Sequence, residues 1–120
     1  MTLGELYREI GGNYQSISER LRKEERIKKF VLLFLKDASY QTYIQKIKEG
    51  EEEEAFRAIH TLKGVCMNLS FDELYQIANE TTELLRTGDL QEAMEKLPAL
   101  EKCYEKHIQT IYAYADFSEG

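Results

Sequence analysis

Residues 51–70 read EEEEAFRAIHTLKGVCMNLS, and this stretch decides the fold. At about 100° per residue it predicts an amphipathic helix. Its apolar residues gather on one broad side that we expect to face a core: Ala55, Ala58, Ile59, Leu62, Val65, Cys66 and Leu69. His60 falls almost opposite the centre of that side, so we expect its imidazole to face solvent.

The residues that follow His60 suggest chemistry on this outer face. A cation, Lys63, stands at i+3 and a glycine, Gly64, at i+4, so both neighbour the imidazole on the helix surface. A glycine inside a helix costs about 1 kcal/mol relative to alanine. An accessible histidine beside a cation and a bare stretch of backbone is typical of a group-transfer site.

Larger side chains surround the predicted site. Phe56 and Met67 are apolar but fall on the outer side of the helix, together with the cation Arg57. Exposed apolar side chains grouped around a site indicate a docking surface more strongly than scattered ones. We therefore take Phe56, Arg57 and Met67 as candidate partner-docking residues.

The segment His60-Thr61-Leu62-Lys63-Gly64, followed by Asn68-Leu69, resembles the H-x-L-K-G motif of histidine-containing phosphotransfer (HPt) domains. The resemblance extends to the lead-in GEEEEAFRAIH and the follow-on FDELYQIANETTELLRTGDL, and it spans roughly residues 26–115. HPt domains are four-helix bundles that carry a phosphoryl group between aspartates of response-regulator receiver domains. The resemblance therefore implies a fold and a chemistry together.

The chain departs from the family pattern just after the motif. The family usually has glycine ten residues after the histidine, where this chain has Ser70, and small residues are common where Cys66 and Met67 stand. Ser70 and Glu73 have the spacing of a capping box, so we expect Ser70 to cap the next helix.

The resemblance implies that His60 accepts a phosphoryl group from one receiver aspartate and passes it to another. Lys63 would support the phosphoryl charge and Gly64 would leave room for it. The implied partners are receiver domains and a hybrid histidine kinase. The receiver would supply the divalent metal, so we expect no cofactor or metal site in this chain.

Besides the phosphoryl carrier, two other hypotheses remain open at this point. The chain shows no glycine-rich nucleotide loop, so we expect a phosphoryl carrier without autokinase activity and not an enzyme. A helical interaction module that docks a receiver without being phosphorylated is the alternative. A phosphoacceptor fragment of a larger hybrid kinase is a third reading, against which Met1 and the lack of linker-like composition at either end argue.

Composition and charge limit the classes of protein. With 120 residues, one proline and no clear alternating pattern, the chain predicts a single all-α domain over 1–120. The resemblance implies that this domain is a four-helix up-and-down bundle of the HPt type. Two short helices in residues 1–22 would form an N-terminal appendage on a bundle at about 26–115. A net charge of −6 argues against nucleic acid. No apolar run approaches the ~20 residues of a membrane span and the N-terminus lacks a secretory pattern, so we expect a cytoplasmic protein. The bundle is large enough for us to expect a monomer.

We also make predictions for three other parts of the chain. The segment EERIKKFVLLFLKDAS predicts the most apolar helix, deeply packed through Ile27, Phe30, Val31, Leu33, Phe34 and Leu35. Pro98 either kinks one long C-terminal helix or restarts it. Cys103 and His107 stand four apart, a spacing that offers two metal ligands, but no third or fourth ligand is evident. We therefore expect Cys103 to be a packing residue or a surface thiol and His107 to be structural.

Overall fold

The computed structural model describes the backbone of residues 1–119 and the side chains of residues 1–116. Its α-helices are α1 (Leu3–Glu9), α2 (Tyr14–Leu21), α3 (Glu24–Leu33), α4 (Ser39–Lys48), α5 (Glu52–Leu69), α6 (Asp72–Arg86), α7 (Leu90–Glu95) and α8 (Leu97–Glu119), with a 3-10 helix at Phe34–Lys36. No β-strand occurs within residues 1–119, so the predicted all-α fold is confirmed. None of the helices in this range is long and apolar enough to cross a membrane.

The bundle consists of α4, α5, α6 and α8. Helix α5 packs between α4 and α6, and α8 packs against α6. Short connections bring consecutive helices side by side, as in an up-and-down bundle. The predicted apolar side of α5 is buried at Ala55, Ala58, Ile59, Leu62, Cys66 and Leu69, whereas Val65 is only partly covered. The opposite side of α5 is therefore left to face solvent.

The N-terminal helices share the core of the bundle. The side chain of Thr2 accepts a hydrogen bond from the Glu5 backbone at 3.1 Å, and the Glu5 carboxylate accepts one from the Thr2 backbone at 3.1 Å. This capping box starts α1, which packs against α8 and α2. The buried hydroxyl of Tyr7 donates to the carbonyl oxygen of Leu69 at 2.8 Å. Helix α1 is thereby tied to the C-terminal end of α5.

The prediction that the whole apolar set of α3 is deeply packed is wrong for two of its members. Ile27, Val31 and Phe34 are buried and Leu35 is partly covered, but Phe30 is 44% exposed and Leu33 is 46% exposed. At about 100° per residue, the three buried residues fall on one narrow stripe, and Phe30 and Leu33 lie progressively further to one side of it. Helix α3 therefore presents two large apolar side chains to solvent.

The predicted capping box at Ser70 is also wrong. Ser70 ends α5 in the left-handed conformation, with φ +57°, and no side-chain hydrogen bond caps α6. Its hydroxyl instead accepts a hydrogen bond from Arg20 and donates one to the Ser16 hydroxyl at 3.0 Å. A left-handed residue at this position explains why glycine suits it, and contacts from α2 hold the serine there.

The C-terminal helix restarts at Pro98 and is not kinked by it. Helix α7 ends at Glu95 and α8 begins at Leu97, which places Pro98 in the first turn of α8. Proline is tolerated in a first turn because the backbone N–H groups there have no partner within the helix.

Candidate functional site

His60 lies near the middle of α5 and its side chain is exposed, while the adjacent Ile59 is fully buried. The helix continues for two turns on either side of it, so the backbone that carries the imidazole is held by the packing of α4 and α6. The position is therefore accessible to a second protein and rigid in its backbone.

Lys63 and Gly64 lie one turn further along the same face. Lys63 is half-buried, and its ammonium makes no ion pair or hydrogen bond with any side chain of residues 1–116. Apart from its chain neighbours and the backbone of its own helical turns, a Cβ atom added at Gly64 would meet no atom of the described residues within 4 Å, and the residue is helical with no positive φ. Neither packing against the described residues nor backbone conformation requires a glycine here. What its absent side chain provides is open space beside His60.

Phe56 and Arg57 lie one turn before His60 and differ in their surroundings. Phe56 is half-buried, with its ring centroid 5.9 Å from that of the imidazole and 5.1 Å from the guanidinium carbon of Arg86. Arg57 is exposed and pairs with Glu53 at 3.4 Å, a contact open to water that contributes little to stability. The guanidinium of Arg57 thus lies at the surface in a weak ion pair, whereas the ring of Phe56 already has contacts inside the chain.

An apolar groove lies near the C-terminal end of α5; the predicted docking residue Met67, which is 55% exposed, is not among its lining residues. The groove has a volume of about 480 Å³, and its lining comes from α2, from α3 and the turns that follow it, and from α5: Arg20, Leu21, Phe30, Leu33, Phe34, Asp37, Val65, Asn68 and Leu69. Sequence reasoning missed Phe30 and Leu33 as part of this surface. Their angular displacement from the buried stripe of α3 was the signal that could have identified them.

The second histidine is structural. His107 is fully buried, and its Nδ1 lies 2.8 Å from the carbonyl oxygen of Cys103. Burial lowers the pKa of His107 to about 4, so the ring is neutral at pH 7. Burial also raises the pKa of Cys103 to about 12 and raises that of the Cys66 thiol, so neither sulfur is a thiolate near neutral pH.

The described part of the chain holds no group of three or more His, Cys, Asp or Glu side chains arranged to bind a metal ion. In particular, Cys103 and His107 are not joined by further ligands in residues 1–116. The imidazole nitrogen of His107 faces its own helix backbone, as a packed histidine does.

Comparison with known proteins identifies the family. The family model described as "Hpt domain" matches residues 30–110, a range that includes α4, α5, α6 and most of α8. No curated protein and no solved structure matched the chain. The match covers well over half of the chain and contains His60, Lys63 and Gly64 together. The chain therefore belongs to the Hpt domain family, whose members carry phosphoryl groups in two-component signalling.

Proposed function

We propose that the chain is a histidine phosphotransfer protein of a two-component phosphorelay. His60 accepts a phosphoryl group from the aspartate of one receiver domain and passes it to the aspartate of another. The observation that carries the proposal is the exposed imidazole of His60 beside the open space at Gly64, on a helix whose opposite side is packed in the core.

The transfer requires a nucleophile and a stabilised charge. In the forward step, the unprotonated nitrogen of the His60 ring attacks phosphorus while the P–O bond to the aspartate breaks. The carboxylate leaves with the bonding electron pair, and the reverse sequence on a second receiver regenerates the imidazole. Charge spreads over the equatorial oxygens during an in-line transfer. The ammonium of Lys63, which has no acidic partner among residues 1–116, is available to stabilise that charge.

Gly64 leaves room for the receiver to approach His60. The receiver has to bring its phosphorylated aspartate to the imidazole, and any side chain at i+4 would stand in that path. Because nothing inside the described structure requires this glycine, its cost in helix propensity is accounted for by access to His60. The divalent metal is proposed to belong to the receiver, and this chain supplies the imidazole and the cation.

The receiver is proposed to dock on the face that carries Met67 and the apolar groove. Phe30 and Leu33 extend the predicted docking surface from α5 to α3, and Arg57 adds a cation on the other side of His60. Large exposed apolar side chains around a reactive group fit a partner that binds and leaves. A hybrid histidine kinase would present such a receiver, and the carrier would act as a monomer in the cytoplasm.

Phosphoryl transfer from a labelled receiver tests the proposal. The protein is mixed with a ³²P-phosphorylated receiver domain from the same organism, and the label on the chain is tested for acid lability and base stability. We expect a phosphohistidine that is absent from His60→Gln. His107 is fully buried and serves as the internal control for a second histidine. ATP alone should leave the protein unlabelled, since a carrier has no autokinase activity.

The same experiment separates the docking module from the carrier. Binding of the receiver to wild type and His60→Gln is measured alongside labelling. Loss of label with retained binding supports the carrier. A receiver that binds both proteins and labels neither would refute the carrier and favour a module that docks without taking up phosphate.

A further inference from the structure

Three side chains from two helices form a continuous stack that ends at His60. The guanidinium carbon of Arg86, at the C-terminal end of α6, lies 5.1 Å from the centroid of the Phe56 ring. The Phe56 ring in turn lies 5.9 Å from the imidazole of His60, with 36° between the ring planes. Arg86 is exposed, and its Nε lies 3.3 Å from the Glu83 carboxylate in a surface ion pair.

The Arg86–Phe56 and Phe56–His60 separations both lie within the range over which such groups attract each other. Aromatic rings attract each other at centroid distances of about 4.5–7 Å, and a guanidinium within about 6 Å of a ring centroid is attracted to its face. Phe56 is half-buried, whereas His60 is exposed, so the ring of Phe56 is the better fixed of the two. Phe56, the half-buried member of the stack, is therefore the group against which the exposed imidazole packs.

We propose that Phe56 is a positioning residue for His60 and that Arg86 acts through Phe56, a role that rests on the phosphotransfer function proposed above. An exposed side chain otherwise exchanges between staggered rotamers. The Phe56 ring covers one side of the imidazole and favours the rotamers that keep contact with it. The cation of Arg86 holds the Phe56 ring in place from α6.

This assignment gives Phe56 a different role from the docking role predicted for it. A docking residue contributes to the affinity for the receiver, whereas a positioning residue contributes to the rate at which His60 reacts, with or without a receiver. The two roles separate when the phosphoryl donor is a small molecule that has no docking surface.

Phosphoramidate is such a donor. In its reaction with the protein, the P–N bond of phosphoramidate breaks, ammonia leaves, and a ring nitrogen of His60 takes the phosphoryl group. Replacing Phe56 by Leu keeps an apolar side chain and removes the ring. We expect the rate of phosphorylation of Phe56→Leu to fall about fivefold, the factor that corresponds to about 1 kcal/mol. Phe56→Tyr keeps the ring and should keep the rate.

Nuclear magnetic resonance provides a readout that does not depend on phosphorylation. In wild type, we expect cross-relaxation between the Phe56 and His60 rings and scalar couplings of His60 that report one dominant χ1 rotamer. In Phe56→Leu these His60 couplings should move toward the average over several χ1 rotamers. Tyr112→Leu, which removes an exposed aromatic ring from α8, and Arg8→Gln, which removes an exposed cation from α1, are the matched controls and should change neither the couplings nor the rate.

A double-mutant cycle tests whether Arg86 acts through Phe56. Arg86→Gln should slow the reaction in the wild-type background and have no further effect in the Phe56→Leu background. Additive effects would show that Arg86 acts on the phosphoryl group directly and would overturn the stack. Wild type that takes no label from a phosphorylated receiver would refute the proposed function itself. Wild type that is labelled at the same rate as Phe56→Leu would refute the positioning role alone.

Discussion

The burial of His107 predicts that the protein loses stability between pH 7 and pH 5. The imidazole is fully buried, the Phe71 ring packs against it at 5.3 Å between centroids, and its Nε2 has no hydrogen-bond partner in the described structure. Burial is the main cause that lowers its pKa from the ordinary 6.5 to about 4. Replacing His107 by Leu removes the titrating group and puts an apolar side chain of similar size in its place.

The magnitude follows from linkage between protonation and folding. Between pH 6.5 and pH 4 the unfolded chain binds a proton on this histidine and the folded chain does not, so the free energy of unfolding falls as the pH falls. With pKa values of 6.5 unfolded and about 4 folded, the loss at pH 5 is about 2 kcal/mol, and at pH 7 it is close to zero. The contribution of the neutral, buried His107 to the free energy of unfolding is therefore fully present above about pH 6.5. It is lost progressively as the pH falls from 6.5 to about 4.

Urea unfolding followed by circular dichroism at pH 7, 6 and 5 measures this effect. We expect wild type to lose about 2 kcal/mol more than His107→Leu over this interval. Glu73, whose charge interacts with His107, has its pKa lowered chiefly by the hydrogen bond from Lys106. Equal pH slopes for the two proteins would refute the reasoning. So would a wild-type NMR titration in which the His107 ring protonates near pH 6.5, a measurement that does not need the variant to fold.

Three further predictions concern the site and the end of α5. Gly64→Ala should raise the free energy of unfolding by up to about 1 kcal/mol, since open space surrounds the added methyl group, and should slow transfer from a receiver; a variant that is both more stable and equally fast would contradict the access argument. Ser70→Ala should be about 1 kcal/mol less stable than Ser70→Gly in urea, because both variants lose the hydrogen bonds to Arg20 and Ser16 but only glycine relieves the strain of the left-handed backbone. Leu33→Ser should weaken receiver binding about tenfold in calorimetry, and a matching loss in the exposed Met94→Ser would place the effect outside the groove.

The helical pattern of α5 allowed its part of the site to be predicted from sequence. The spacing of His60, Lys63 and Gly64 places them together on any α-helix, whatever the rest of the chain does. The same periodicity correctly assigned the buried side of α5, except that Val65 is only partly covered. The capping box at Thr2 was equally local, because both partners lie within one turn.

The errors occurred where a residue's environment depends on distant parts of the chain. Hydrophobicity alone could not show that Phe30 and Leu33 face solvent, since this depends on which side of α3 the neighbouring helices cover. The capping spacing at Ser70 was present, but α2 supplies hydrogen bonds that hold the serine in a left-handed conformation at the end of α5. A residue pattern contains no information about a donor that lies some 50 residues away.

The sequence by itself determined the all-α class, the family and the face of α5 that carries His60, because helix periodicity and a five-residue motif are properties of neighbouring residues. Only the tertiary structure decided that Arg86 and Phe56 stack toward the imidazole and that Phe30 and Leu33 form a groove with α5. The Arg86–Phe56 contact and the groove join residues on different helices, and the packing of the bundle sets these distances.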